Sequence, residues 1–97
     1  MGHTAQIAAM IEEGRHLVPD HMWHAVEGYM LRGWEPGSFL SAVLRNDLMD
    51  AVGRADHINA RALPDWARFL YNYAPSHSYG SPAKVDAWLA SFEQVSA

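Results

Sequence analysis

Cysteine is absent from this chain of 97 residues. That excludes a disulfide framework, a thiolate zinc site and a cysteine nucleophile, and it fits a reducing compartment. Lysine is nearly absent as well. Lys84 stands alone, and seven basic residues face eleven acidic ones, for a net charge of −4. Binding to a phosphate backbone rests on Lys and Arg, so general nucleic-acid binding is not expected. The acidic residues are scattered rather than spaced along one face, which argues against imitation of DNA. No apolar run approaches the roughly 20 residues that a membrane-spanning helix needs, so no membrane partner is expected. No basic stretch followed by an apolar core opens the chain, and a secretory signal is therefore not visible. Gln6 stands where a lipidation signal on Gly2 wants Ser or Thr.

What is present is helix. The length implies one domain over residues 1–97, and an apolar fraction of 49% suffices for a single core. Ala5 to about Gly14 forms a short pattern with Ile7, Met10 and Ile11, so residues 1–17 read as a loosely attached N-terminal helix. Pro19 suits the first turn of a second helix, striped by Met22, Ala25, Val26, Tyr29 and Met30 and stopped by Gly33. Ser38 is placed to cap a third helix. Its apolar arc runs from Leu40, Val43, Leu44 and Leu48 through Ala51, Val52, Ala55 and Ile58 to Ala62, as one long element. Gly53 lies inside it as a close-packing point or a bend, at about 1 kcal/mol relative to Ala. Pro64 starts the next helix, with Trp66, Phe69, Leu70 and Tyr73 on its buried face. Residues 75–80 read as an exposed loop. Ser81 and Pro82 then cap a last helix with the stripe Val85, Trp88, Leu89 and Phe92. No β-alternation competes, and the expectation is an all-α single compact bundle of about five helices.

Four constellations bear on function. His21 and His24 stand three apart with His16 nearby, which permits a metal, although half-buried histidines beside a core stripe explain them as well. No cofactor or metal is expected. The turn Pro36-Gly37-Ser38 is either an ordinary helix start or an anion site, since free N–H groups and the helix dipole point the same way. On one continuous helical wheel Asp47, Asp50, Arg54 and Arg61 fall along one edge of the apolar arc and Asn59 on the other. Polar groups there need partners, and Asp50–Arg54 is the simplest pair. Trp34 and Tyr79 sit in turns, as binding anchors or as covers for a small core, and Trp23 lies off its stripe, exposed or against a partner chain. The sequence carries no nucleophile elbow, nucleotide fingerprint or closely spaced acid/base pair, so no enzyme is expected.

Several runs recur together: Glu35-Pro36-Gly37-Ser38-Phe39-Leu40, Ala42-Val43-Leu44, Asn46-Asp47-Leu48, Arg54-Ala55-Asp56 with Asn59, Phe69-Leu70-Tyr71-Asn72, Ala74-Pro75, and Tyr79-Gly80-Ser81-Pro82 before Trp88. In this the chain resembles a family of short phage and prophage proteins whose signature begins Pro-Pro-Gly-Ser-Phe-Leu. Glu35 replaces the first Pro, and Tyr79 stands where a Trp is usual. The resemblance implies a small phage accessory protein acting in the cytoplasm of a bacterial host. Such proteins commonly bind and block host factors, immune systems included. The resulting expectation is a non-enzymatic antagonist. It would occlude a host protein or sequester a small nucleotide-like signal bearing phosphate. Its contact set would be Trp34, Gly37, Ser38, Asp47, Arg54, Asn59 and Tyr79. The alternative is a structural or regulatory homo-oligomer, with Trp23 at the self-interface.

Overall fold

The computed structural model describes residues 2–96, with side chains from residue 4 to residue 93. Among the described residues there are seven α-helices and no strand, so the all-α single domain stands, with more and shorter helices than the periodicity suggested. The Cα radius of gyration is 12.7 Å, close to the roughly 12.5 Å of a compact chain of this length.

Helix α1 (Gly2–Glu13) stops at Gly14, where an added Cβ would lie 2.5 Å from the Tyr73 ring. The expected loose attachment is corrected here. α1 packs on the second and sixth helices, and Ile11 is buried in the core. Two 3₁₀ turns, Arg15–Leu17 and Asp20–Met22, lead into α2 (Trp23–Arg32). Val26, Tyr29 and Met30 on α2 are buried as their spacing required. Gly33 ends the helix at φ 69°, and Trp34 N–H donates to the Gly28 carbonyl at 3.0 Å. A left-handed stop of this kind favours glycine because it has no Cβ.

The long third helix is the main correction. It is three helices: α3 (Ser38–Leu44), α4 (Leu48–Arg54) and α5 (His57–Arg61). The breaks have local causes. Asn46 takes φ 65°, and the Asp47 carboxylate then accepts the Asp50 N–H at 3.1 Å as an N-cap. Asp56 does the same for the Asn59 N–H at 2.7 Å. Short polar side chains offer the backbone an alternative partner, and here they interrupt the helix at both places. Ser38 is not a cap either. Gly37 holds that position in extended conformation with no side-chain bond, and Ser38 is the first helical residue. Once the arc is cut, Leu48, Val52 and Ile58 face outward at 64%, 52% and 60% exposure, and only Ala51 of α4 is buried.

α6 (Leu63–Tyr73) carries Pro64 in its first turn and buries Trp66, Phe69 and Leu70. The segment 75–80 is not simply exposed. Ser78 is fully buried, its carbonyl accepts the Tyr29 hydroxyl at 2.6 Å, and Gly80 N–H donates to the Leu44 carbonyl at 2.7 Å. α7 (Pro82–Ser96) is capped by Ser81 Oγ, which accepts the Lys84 N–H at 3.2 Å. Trp88 inserts from α7 and donates its indole N–H to the Tyr29 carbonyl at 3.0 Å. Trp23, expected at the surface or at a partner, is buried edge-on against Phe69 with the Arg15 guanidinium over its ring.

Candidate functional site: an apolar groove between α4 and α6

The break after α3 creates the site. Asn46 turns the chain away, α4 starts at Leu48, and a groove of about 520 Å³ opens between the start of α4 and the length of α6. Buried Ala51, Trp66 and Leu70 line its interior. Leu48 at 64% and Tyr71 at 81% exposure stand at its mouth. Tyr79 and Gly80 also line it, held by the Gly80–Leu44 hydrogen bond. Gly80 adopts φ 119°, a conformation that a side chain would strain.

The groove is mostly apolar with few charges. Its two charged lining residues are Asp47 and Arg68. Arg68 already pairs with Asp65 at 2.8 Å. Asp47 caps α4 and has no ion-pair partner among the described residues. The arrangement suits an apolar side chain with a polar or cationic neighbour.

Of the seven residues singled out from sequence, Asp47 and Tyr79 line the groove and the other five do not. Trp34 is 49% exposed and covers Gly28, where an added Cβ would meet its ring at 2.3 Å. His24 and the Arg32 guanidinium flank the same indole. Gly37 and Ser38 open α3, which has only seven residues. Arg54 bonds Asp50 at 2.9 Å on the surface, the pair its spacing suggested, contributing a few tenths of a kcal/mol. Asn59 is structural. It is buried, accepts the Trp66 indole N–H at 3.2 Å, and donates to Asp56 through both its backbone and its side chain.

Asp56 gathers those bonds. The Asn59 backbone N–H, and then His21 at 2.9 Å, hold its carboxyl below the usual carboxylate range. His16 stacks edge-on with Tyr73, and His24 with Trp34. The three histidines considered for metal thus meet three different neighbours. Among the described residues no group of three or more His, Asp or Glu could hold a metal ion.

Tyr71 and the groove itself were missed from sequence. The signal that could have found them is the paired Asx pattern, Asn46-Asp47 before Asp50 and Asp56 before Asn59. Two caps in one apolar arc mean two breaks, and an arc with two breaks cannot keep one face to the core. Comparison with protein families, with curated proteins and with solved structures matches nothing.

Proposed function

We propose that this chain is a non-enzymatic, phage-type binding protein that antagonises a host factor, immune components included, by covering a surface of a protein partner. The observation that carries the reading is the α4–α6 groove, apolar inside and open at Leu48 and Tyr71. Anchor side chains that fill such pockets supply most of the affinity in protein interfaces. Asp47, the groove's one charge without an ion-pair partner, suits a cation beside that anchor. Sequestration of a phosphate-bearing signal is less well supported. Arg68 in the groove and Arg54 outside it both pair with aspartates, so neither is spare for a phosphate. The phage origin and the host cytoplasm rest on the sequence resemblance. The coarser structural fact is that no described helix is long and apolar enough to cross a membrane.

The test is comparative capture from bacterial lysate, read by mass spectrometry. A partner held by the wild type is lost from both Tyr71→Asp and Leu48→Asp. The reading fails if the wild type and both variants recover the same proteins.

A further inference from the structure

The groove of about 520 Å³ runs between two helices. Leu63, Trp66, Ala67, Leu70 and Tyr71 of α6 line one wall at i, i+3, i+4, i+7 and i+8. Asp47, Leu48 and Ala51 at the start of α4 line the other. At 1.5 Å per residue the α6 stripe is about 12 Å long, a little over two turns. That is the length over which a helix of another chain presents apolar anchors at i, i+3 or i+4, and i+7.

The walls also decide the backbone of the occupant. An extended segment needs partners for its N–H and C=O groups. Among the described residues there is no strand, and so no sheet edge to extend. The Gly80 N–H is already given to the Leu44 carbonyl at 2.7 Å, and the Asn72 side-chain amide to the Arg68 carbonyl at 2.9 Å. A strand laid between α4 and α6 would leave its backbone unpaired, whereas a helix arrives with its backbone satisfied.

Charge decides the sign of the occupant. Of the charges at the groove, Arg68 is closed by Asp65 at 2.8 Å, and Asp50 just outside is closed by Arg54 at 2.9 Å. Asp47 keeps a carboxylate with no ion-pair partner among the described residues. The net charge of −4 points the same way.

We propose that the groove holds an amphipathic, basic helix of a partner protein. Its apolar side chains at i, i+3 or i+4, and i+7 lie along the α6 stripe, Leu48 and Tyr71 close over them, and one of its Lys or Arg residues pairs with Asp47. This rests on the partner-binding reading above and adds the secondary structure and the charge of the segment bound.

NMR titration of the isotope-labelled full chain tests it, with synthetic peptides of about 15 residues, long enough to hold a helix. The first carries Leu at helical spacing and Lys elsewhere. The second replaces each Lys by Glu, and the third reorders the first to an alternating, strand-like pattern. The first moves the Ala51, Leu70 and Gly80 amides saturably, and the other two bind roughly tenfold more weakly. Asp47→Asn, which keeps a capping oxygen, leaves the melting temperature unchanged, weakens the first peptide several-fold and flattens its salt dependence. Glu35→Gln, an equal loss of charge beside Arg32 and Phe92 and away from the groove, leaves the affinity unchanged. Shifts centred on another surface, equal affinity for either control peptide, or an Asp47→Asn effect no larger than that of Glu35→Gln would each overturn the proposal. If the first peptide does not bind while Tyr71→Asp still loses a protein captured from lysate, the helix inference falls and the groove reading stands. If the peptide occupies the groove while Tyr71→Asp leaves lysate capture unchanged, the groove accepts a basic helix and the antagonist reading falls.

Discussion

Helix α6 and the α4–α5 pair are built from similarly apolar sequence and treat it in opposite ways. α6 runs unbroken from Leu63 to Tyr73 and buries Trp66, Phe69 and Leu70 on one stripe. α4 and α5 bury only Ala51 and Asn59, and leave Leu48, Met49, Val52 and Ile58 to solvent. Length alone does not account for the difference, because α3 is as short as α4 and still buries Phe39, Leu40, Ala42 and Leu44. Placement does: α6 packs against α1, the first 3₁₀ turn and α5, whereas α4 packs chiefly against α3. The short helices are held at their ends instead, by the Asp47 and Asp56 caps and by the Asn59–Trp66 bond. A segment secured by its ends leaves its apolar side chains open to something else.

The sharpest break of this comparison is Trp66→Ala. The ring is fully buried, stacks edge-on with Phe39, and satisfies Asn59. Its loss is expected to cost about 3–5 kcal/mol, read by urea denaturation. A value near zero would mean that α6 does not anchor the fold. Tyr29→Phe comes next. It strands the buried Ser78 carbonyl that now accepts the hydroxyl at 2.6 Å, and about 1–3 kcal/mol should go with it. Burial pushes the Tyr29 phenol above its ordinary range, so it remains a donor across the accessible pH range. Asp47→Ala removes a cap from the other region and is expected to cost about 1 kcal/mol. Hydrogen exchange should show faster opening of α4 with α6 unchanged. Equal acceleration in both helices would erase the distinction drawn between them.

Acid gives a smaller, local effect. The folded carboxyl of Asp56 titrates below its unfolded value of about 3.9. Its contribution is therefore complete above that value and is lost as pH falls from about 4 through the lower folded value. The Asn59 amide and the Trp66 indole N–H are the reporters. Their NMR shifts should move in that window in the wild type and stay put in Asp56→Asn, which keeps a capping oxygen but loses the titration. Movement of both signals in the variant as well would assign the transition to another group.

The legible part of the molecule was its regular half. The stripes of α2, α6 and α7 put Tyr29, Trp66, Phe69, Val85 and Trp88 in the core, and Gly33, Pro64 and the Ser81–Pro82 pair mark ends where the chain does turn. Residues 45–62 were misjudged because hydrophobic periodicity there conflicts with capping chemistry, and capping wins. Asp47 was assigned to the edge of a wheel, whereas it and Asp56 are the points at which the wheel stops. Asn59 went inward to Trp66, while Arg54 forms with Asp50 the surface pair that its spacing suggested. Trp23 was misjudged for a different reason: it stands i, i+3, i+7 with buried Val26 and Met30 and so belongs to the same stripe, which the count from Met22 drew one residue too narrow. The Ser78 burial had no local signal, because its partner Tyr29 lies 49 residues away.

The smallest expected effect on stability bears most directly on function. Tyr71 lies on the same helix as Trp66 and lines the same groove, yet it is 81% exposed where Trp66 is fully buried. Among the described residues its ring makes no hydrogen bond or stacking contact that holds α6 in place. Tyr71→Ser should therefore leave stability within about 0.5 kcal/mol, as surface substitutions generally do, while the captured partner is lost. Those two readings together separate a side chain kept for binding from one kept for folding. If Tyr71→Ser instead unfolded the protein, the ring would belong to the core and the groove would be part of the fold. If it changed neither stability nor capture, the binding face would have to be sought away from α6.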